Sequence, residues 1–298
     1  MAKYITPAVT PFLPDGTIDE SGAIALYEHL IAGGIDGILV LGSIGEFFAI
    51  PMEQRKKLIS LAVKTAAGRV PIMAGTADMV YDNVIELSEY ALSEGADSII
   101  VVSPFYFRLE PDQIFDYYDA IARCISGRIY LYNFPDRTGY TIPPEIALRL
   151  AERHSNIVGI KDTISGLDHT RELIKAIKPV RPDFEIYPGF DDNFAHNVLC
   201  GGDGCIAGLS NVAPNLCHRW VSAVNSHDFA AAAEIQQSIN RLMDIYSVGA
   251  PFIPFIKAAT ALRGVPVRNV VSFPFPGATD AQLETLRGIL IRENLLHV

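Results

Sequence analysis

Residues 98–133 read SIIVVSPFYFRLEPDQIFDYYDAIARCISGRIYLYN, and they contain two short apolar runs separated by an amphipathic segment. The runs, Ser98–Val102 and Ile129–Asn133, are rich in residues that favour strands, and the segment Pro111–Ala122 has helical periodicity. Neither run alternates apolar with polar residues, as a strand with one face in water would. The stretch therefore predicts two parallel strands that are covered on both faces and joined by one helix.

The same combination of apolar run and amphipathic segment recurs along the chain. Eight apolar runs begin about 20 to 33 residues apart, which is the spacing of one strand, one helix and two loops. The predicted strands are Tyr4–Val9, Gly37–Leu41, Val70–Ala74, Ser98–Val102, Ile129–Asn133, Ile157–Lys161, Glu185–Pro188 and Gly204–Gly208. The predicted helices between them include Ser21–Ala32, Glu53–Thr65, Tyr81–Glu94, Pro111–Ala122, Pro144–Glu152 and His169–Ala176.

Eight strand–helix units predict an α/β protein with a (β/α)8 TIM barrel, a fold that takes about 250 residues. A doubly wound open sheet is the alternative, and it commonly carries a Gly-x-Gly-x-x-Gly fingerprint after its first strand. The segment Pro11–Gly16, which follows the first predicted strand, has no such fingerprint. The barrel is therefore the favoured prediction.

The chain continues beyond the eighth predicted strand. Four further segments have apolar residues at helical spacing, and they are Asn215–Asn225, Asp228–Tyr246, Ala250–Leu262 and Thr279–Asn294. The stretch Val265–Pro276 is predicted to be irregular, because its prolines cannot donate backbone hydrogen bonds. We therefore expect a single structural unit, in which C-terminal helices at residues 214–298 pack on a barrel core at residues 1–213.

Composition narrows the class of protein. The 298 residues are 49% hydrophobic and 19% charged, which excludes a disordered chain. Lys and Arg total 24 against 34 Asp and Glu, and the net charge of -10 argues against nucleic acid or an anionic membrane as the main partner. The sequence shows no signal region and no apolar run of membrane-spanning length, so a cytoplasmic location is expected. The four cysteines form no Cys-x-x-Cys pair and predict buried, reduced thiols.

Lys161 is the first candidate for chemistry. It ends the predicted strand Ile157–Lys161, and active sites of (β/α)8 barrels lie at the carboxyl ends of the strands. A desolvated lysine can lose its proton, and the neutral amine can attack a carbonyl to form a Schiff base. A structural ion pair between Lys161 and the adjacent Asp162 is the alternative.

Tyr132 and Arg137 follow from the same argument on the preceding strand. Tyr132 lies at the end of the run Ile129–Asn133, where a phenol could carry a proton to or from an imine. Arg137 follows in the next loop, and its guanidinium suits a carboxylate or a phosphate because it can bind two oxygens. Each residue has an ordinary alternative, since Tyr132 could be a core aromatic and Arg137 a surface cation.

Two other strand ends carry polar groups. Gly42–Glu46, with the sequence GSIGE, offers backbone N–H groups and the Ser43 hydroxyl to an anion, although a tight turn explains the same residues. Tyr106 follows the fourth strand within a run of aromatic residues that could simply pack. No histidine or cysteine has metal-ligand spacing, and no P-loop lysine is present, so we predict no metal and no other cofactor.

Four motifs in one order carry a family resemblance that none carries alone. They are Gly42–Glu46, Tyr132–Pro135, Gly159–Thr163 and Gly201–Gly204. Together they resemble the dihydrodipicolinate synthase and N-acetylneuraminate lyase family over the whole chain. The resemblance implies a (β/α)8 barrel that forms a homo-oligomer, either a tetramer or a dimer, and binds pyruvate or another 2-oxo acid as a Schiff base.

The resemblance also implies a role for each site residue. Lys161 would form the imine, and Tyr132, assisted by Ser43 and Tyr106, would transfer the proton. Ser43 and the backbone N–H of Ile44 would hold the carboxylate of the 2-oxo acid, and Tyr106 would complete a hydroxyl relay, often in a neighbouring subunit. Ile206 would line the pocket. The family has a threonine where this chain has Ile44, which puts synthase activity in doubt.

The motifs bear on the substrate as well. Tyr132–Pro135, Gly159–Ile164, Gly189–Asp192 and Pro251–Lys257 are most similar to bacterial 2-keto-3-deoxygluconate aldolases. Asp136–Gly139 instead resembles the synthases, in which that arginine holds the carboxylate of aspartate semialdehyde. The favoured hypothesis is a lyase that yields pyruvate and an aldehyde from a 2-keto-3-deoxy sugar acid. A 4-hydroxy-tetrahydrodipicolinate synthase and a 4-hydroxy-2-oxoglutarate aldolase are the alternatives.

Two hypotheses from other classes stay open to test. A non-catalytic regulator that binds 2-oxo acids would need Ser43 and Ile44 but would not need Tyr132 or Lys161. A metal-dependent barrel aldolase would need a cluster of histidines and carboxylates at the strand ends, and the sequence offers none.

Overall fold

A computed structural model describes residues Met1–His297 of the chain. Its eight strands are β1 (Lys3–Pro7), β2 (Gly37–Val40), β3 (Ile72–Gly75), β4 (Ser98–Val102), β5 (Ile129–Asn133), β6 (Ile157–Asp162), β7 (Glu185–Pro188) and β8 (Gly204–Ile206). They form one sheet in the order β7-β6-β5-β4-β3-β2-β1-β8. A doubly wound sheet reverses its order at a switch point, whereas consecutive order with the last strand beside the first is that of a (β/α)8 barrel. The predicted fold class is confirmed.

Twelve helices are described within Met1–His297. They are α1 (Glu20–Ala32), α2 (Met52–Ala66), α3 (Tyr81–Ser93), α4 (Pro111–Cys124), α5 (Pro135–Thr138), α6 (Pro144–Arg153), α7 (Asp168–Ile177), α8 (Phe194–Leu199), α9 (Pro214–Asn225), α10 (Phe229–Leu242), α11 (Ile253–Leu262) and α12 (Asp280–Arg292). Short 3-10 turns occupy Phe47–Ala49, Asp191–Asn193, Gly208–Asn211 and Met243–Ser247. α11 begins three residues later than predicted, because Pro254 fits only its first turn.

The chain divides into two compact units, of which the first comprises Met1–Lys3 and Met73–Ile206. Its strands are parallel, and their side chains form an apolar core with helices α3 to α8. Gly159 on β6 is required by close packing, since a Cβ there would lie 2.5 Å from the ring of Tyr130. The register pairs Tyr130 with Gly159, so the aromatic ring occupies the space that a side chain would need.

The second unit comprises Tyr4–Ile72 and the chain from Ala207 onward. It contains the parallel pair β1–β2 together with α1, α2 and the four helices α9 to α12. The stretch Val265–Pro276 has neither helix nor strand, as predicted. The sequence predicts a different division, with a barrel core at residues 1–213 and C-terminal helices at 214–298. This division does not coincide with the two compact units and stays a prediction.

Two features of the chain bear on its environment. Among Met1–His297, none of the helices combines the length and the apolar composition that crossing a lipid bilayer requires. All four cysteines are free thiols. The prediction that they are buried is correct for Cys205 and Cys217 but wrong for Cys200, which is partly exposed, and for Cys124, which is exposed at the end of α4.

Candidate active site

Lys161 and Tyr132 are brought together in the first compact unit. They occupy paired positions on the neighbouring parallel strands β6 and β5, so their side chains leave the sheet on the same face. The Lys161 Nζ donates a hydrogen bond of 3.2 Å to the Tyr132 hydroxyl and lies 4.4 Å from the centroid of its ring. Each residue is only 4% exposed. The arrangement places a buried primary amine within proton-transfer distance of a phenol.

Asp162 does not pair with Lys161. Successive residues of a strand point to opposite faces, and the Asp162 carboxylate accepts hydrogen bonds from three other side chains. Asn133 Nδ2 donates at 2.7 Å, Thr170 Oγ1 at 2.7 Å, and His169 Nδ1 contacts both carboxylate oxygens at 3.0 and 3.1 Å. The ion pair that the sequence left open for Lys161 is therefore replaced by a network on the other face of β6.

The phenol of Tyr132 is backed by a second aromatic ring. The ring of Phe134 stacks on it at 5.8 Å between centroids, and the Arg137 guanidinium lies 5.1 Å from the Phe134 centroid. Arg137 is exposed on the four-residue helix α5, which Pro135 begins and Gly139 ends in a left-handed conformation with φ of 78°. Arg137 thus lies next to the phenol's stacking partner and is open to solvent.

Tyr106 and Ile206 differ in their surroundings. Tyr106 is 80% exposed on the segment between β4 and α4, where its ring contacts that of Phe107 edge-to-face at 5.1 Å. Ile206 is the last residue of β8 and is fully buried. The described contacts place neither residue in the cluster of Lys161 and Tyr132 within Met1–His297.

Ser43 and Ile44 lie in the second compact unit, in the loop Gly42–Glu46 that follows β2. Ser43 is half-buried and Ile44 is buried. The apolar side chain of Ile44 packs so closely on Gly208 that a Cβ at that glycine would lie 2.8 Å from Ile44 Cδ1. The loop ends at Glu46, which adopts a left-handed conformation with φ of 60°.

A buried ion pair holds the end of this loop. The Glu46 carboxylate lies 2.5 Å from Lys257 Nζ, and both side chains are fully buried. Glu46 also accepts a hydrogen bond of 2.7 Å from the backbone N–H of Ser272, while Lys257 donates one of 2.9 Å to the carbonyl of Val270. Burial lowers the pKa of Lys257 to about 8, although the charge of Glu46 acts in the opposite direction. The pair ties the loop to the irregular stretch Val265–Pro276.

A model of the dihydrodipicolinate synthetase family matches residues 1–292. The chain belongs to this family. Family membership makes it an enzyme of the class I aldolase type, in a family that uses pyruvate. The resemblance carried by the four sequence motifs is thereby confirmed, and so is the expectation of a carbon–carbon lyase.

Several relatives of the family are similar over nearly the whole chain. YjhH of Escherichia coli K12, provisionally named a 2-dehydro-3-deoxy-D-pentonate aldolase, is 36% identical over 99% of this chain and 98% of its own. A 4-hydroxy-tetrahydrodipicolinate synthase of Kosmotoga olearia is 38% identical over 86% of each chain. The crystal structure of YagE from E. coli K12 in complex with pyruvate superposes with a TM-score of 0.96, at 34% identity and 99% coverage of both chains. YagE is provisionally named a 2-dehydro-3-deoxy-D-gluconate aldolase.

The structure also shows polar residues next to the candidate site that the sequence analysis did not single out. His169 and Thr170 bind Asp162, and Lys257 binds Glu46. His169 and Thr170 lie in the first turn of α7, the helix that follows β6, and polar residues at such a position are a signal that could have found them. The pairing of Glu46 with Lys257 joins residues far apart in the chain, and no local pattern indicates it.

Proposed function

We propose that the protein is a pyruvate-dependent aldolase that cleaves or forms a 2-keto-3-deoxy sugar acid, such as 2-keto-3-deoxygluconate, through a Schiff base on Lys161. The observation that carries the proposal is the buried Lys161 amine at 3.2 Å from the Tyr132 hydroxyl. The names of YjhH and YagE, both aldolases of 2-dehydro-3-deoxy sugar acids, support this substrate class. We place the enzyme in the cytoplasm.

In the proposed reaction, the neutral Lys161 amine attacks the C2 carbonyl of the sugar acid, and water leaves to give an iminium. Tyr132 supplies the proton with which the C2 oxygen leaves as water, and the resulting phenolate then accepts the proton of the C4 hydroxyl while the C3–C4 bond breaks. The electron pair of the C3–C4 bond moves into an enamine, and C4 departs as the carbonyl carbon of an aldehyde. The enamine takes a proton at C3, and water then releases pyruvate and restores the lysine. The iminium replaces a free carbanion with a stabilised enamine.

The remaining site residues have proposed roles in binding and in the proton relay to Tyr132. Ser43 and the N–H of Ile44 hold the carboxylate of the 2-oxo acid, and Ile206 lines the pocket. Tyr106 is 80% exposed, which suits a residue that completes a hydroxyl relay in a neighbouring subunit of a tetramer or dimer. Arg137 faces solvent beside the ring that stacks on Tyr132, and we assign it to hydrogen bonding with the oxygen atoms of the acceptor.

A second candidate is supported by Arg137. An exposed guanidinium next to the proton carrier suits the carboxylate of aspartate semialdehyde, and the K. olearia relative is named a 4-hydroxy-tetrahydrodipicolinate synthase. A 4-hydroxy-2-oxoglutarate aldolase would use the same arginine. Ile44, in the position of the family's threonine, removes a hydroxyl that the synthases have, and this favours the sugar-acid aldolase.

Borohydride reduction in the presence of pyruvate tests the Schiff base. Mass spectrometry of the digested enzyme should find the reduced pyruvate adduct on Lys161, and Lys161→Ala should be inactive. Lys175→Ala is the control, because Lys175 lies on the surface in a pair with Glu172. Retained activity in Lys161→Ala, or an adduct on another lysine, would contradict the proposal. Pyruvate assayed with glyceraldehyde, aspartate semialdehyde and glyoxylate then ranks the three candidates.

A further inference from the structure

Both ring nitrogens of His169 face hydrogen-bond acceptors. Nδ1 lies 3.0 and 3.1 Å from the two carboxylate oxygens of Asp162, and Nε2 lies 3.1 Å from the carbonyl oxygen of Ile142. A backbone carbonyl cannot donate a hydrogen bond, so Nε2 must carry a proton. A neutral imidazole has only one N–H and would then present a lone pair from Nδ1 to the carboxylate.

The carboxylate oxygens of Asp162 accept hydrogen bonds from two further side chains. Asn133 can only donate to it, because the Oδ1 atom of Asn133 accepts a hydrogen bond of 2.9 Å from the N–H of Ile142 and so fixes the orientation of the amide. Thr170 contributes a second donor at 2.7 Å. Hydrogen bonds to the charged form of a carboxyl group favour that form. With a donor already on each of its oxygens, Asp162 presents acceptors to His169, and this contact is a hydrogen bond when Nδ1 of His169 carries a proton.

We propose that His169 is an imidazolium whose ion pair with Asp162 makes it a positioning residue for Lys161. The inference rests on the proposed function, in which Lys161 forms the imine. Asn133 and Asp162 are paired across β5 and β6, one position beyond Tyr132 and Lys161. The network therefore fixes the ends of the two strands from the face opposite to the amine and the phenol, and the bond from His169 to Ile142 anchors it to the segment between α5 and α6.

The charged groups around His169 agree with this assignment. Burial by itself would lower the pKa of His169, whose side chain is 14% exposed. The hydrogen bond and the charge of Asp162 on β6 act in the opposite direction, and the Ile142 carbonyl and Glu145 on α6 add to them. Their sum raises the pKa above its ordinary value. The imidazolium is thus favoured up to a higher pH than that of a free histidine.

Nuclear magnetic resonance of the full-length enzyme with 15N-labelled histidine tests the charge state directly. The His169 signals are assigned as those lost in His169→Asn, and at about pH 7 both nitrogens should have the shifts of protonated nitrogen. A signal of an unprotonated nitrogen from His169 at that pH would overturn the inference. This measurement needs no substrate, so a failure of pyruvate trapping on Lys161 is a separate result that contradicts the proposed function alone.

Two variants separate positioning from packing. His169→Asn keeps an N–H donor near the position of Nδ1, facing Asp162, and His169→Gln keeps one near Nε2, facing Ile142. We expect kcat to fall about 10-fold in His169→Gln and less in His169→Asn, with the KM for pyruvate changed by less than about 2-fold, because loss of alignment slows the reaction more than it weakens binding.

The pH profile supplies the second readout. The wild-type kcat should decline as pH rises through the titration of His169, and this step should be absent from both variants. His196→Asn, a substitution in α8, is the control and should keep the wild-type kcat and profile. Wild-type kcat and the same alkaline decline in His169→Gln would refute the positioning role, even if the variant folds normally.

Discussion

The two compact units each contain an ion pair next to a segment of the proposed site, and the pairs differ in how their charges are stabilised. Asp162 lies beside Lys161 and accepts hydrogen bonds from three side chains, one of which is His169. Glu46 ends the loop of Ser43 and Ile44, and its partners are Lys257 and one backbone N–H.

The difference shows in the two cations. The pKa of His169 is raised, since its bond to Asp162 outweighs burial, whereas burial lowers the pKa of Lys257 to about 8 in spite of Glu46. His169 is 14% exposed and Lys257 is fully buried, so desolvation is larger for the lysine. A short distance between opposite charges therefore does not decide whether the folded protein favours the charged form.

The largest loss of stability should come from breaking the fully buried pair of Glu46 and Lys257. In Lys257→Met, Glu46 keeps only the N–H of Ser272 and is left as a buried, uncompensated charge, so we expect the free energy of unfolding to fall by about 3 to 5 kcal/mol. Urea unfolding measures it. The double variant Glu46→Gln/Lys257→Met is the control and should recover much of the loss. A double variant as unstable as the single one would show that the charge is not the cause.

The pH dependence of stability should have opposite signs for the two cations. The pKa of His169 is higher in the folded protein than its unfolded value of about 6.5. The contribution of the protonated histidine to the free energy of unfolding is therefore complete below about pH 6.5 and is lost as pH rises through the folded pKa. The pKa of Lys257 falls from 10.5 to about 8, so the unfolded state binds more protons between these values and stability rises with pH there.

Urea unfolding at a series of pH values checks both signs, with slopes of at most about 1.4 kcal/mol per pH unit for each group. The difference between wild type and His169→Asn should shrink above about pH 6.5, and Lys257→Met should lack the rise above about pH 8. Slopes of the same sign for the two residues would contradict the comparison.

The smallest loss of stability should come from removing one of the three hydrogen-bond donors of Asp162. Thr170→Val takes one hydroxyl from Asp162 and leaves Asn133 and His169 in place, so we expect a loss of about 1 kcal/mol in the free energy of unfolding. Thr170→Ser keeps the hydroxyl and should lose less. A loss as large as that of Lys257→Met would show that the network depends on Thr170 far more than its geometry indicates.

The fold could be predicted from sequence because continuous apolar runs define buried parallel strands. Three predicted strands, Ser98–Val102, Ile129–Asn133 and Glu185–Pro188, have the observed bounds. The helix predicted at Asp228–Tyr246 is different, since α10 ends at Leu242 and the chain continues as a 3-10 turn. Helical periodicity does not distinguish the two forms, because tertiary packing decides where such a turn tightens.

For the candidate site, only the residues at the carboxyl ends of the strands could be predicted from sequence. The proximity of Lys161 and Tyr132 could be predicted, because parallel strands present their last residues at one edge of the sheet. The hydrogen-bond partners of Asp162 could not be predicted, since its donors lie on β5 and α7 and come together only in the folded chain. The pairing of Glu46 with Lys257 likewise depends on tertiary contact, and a lysine in an apolar helix gives no hint of its partner.

The close contact of Gly159 with Tyr130 has an evolutionary consequence. Any side chain at position 159 would enter the space of the Tyr130 ring and approach the carbonyl oxygen of Glu185 to 2.6 Å. Gly159 lies two residues before Lys161 on the same face of β6, so a larger residue there would displace the strand that carries the amine. Position 159 is therefore closed to single substitutions, and a smaller residue at position 130 would relieve only part of the clash, because the carbonyl of Glu185 belongs to the backbone and stays in place.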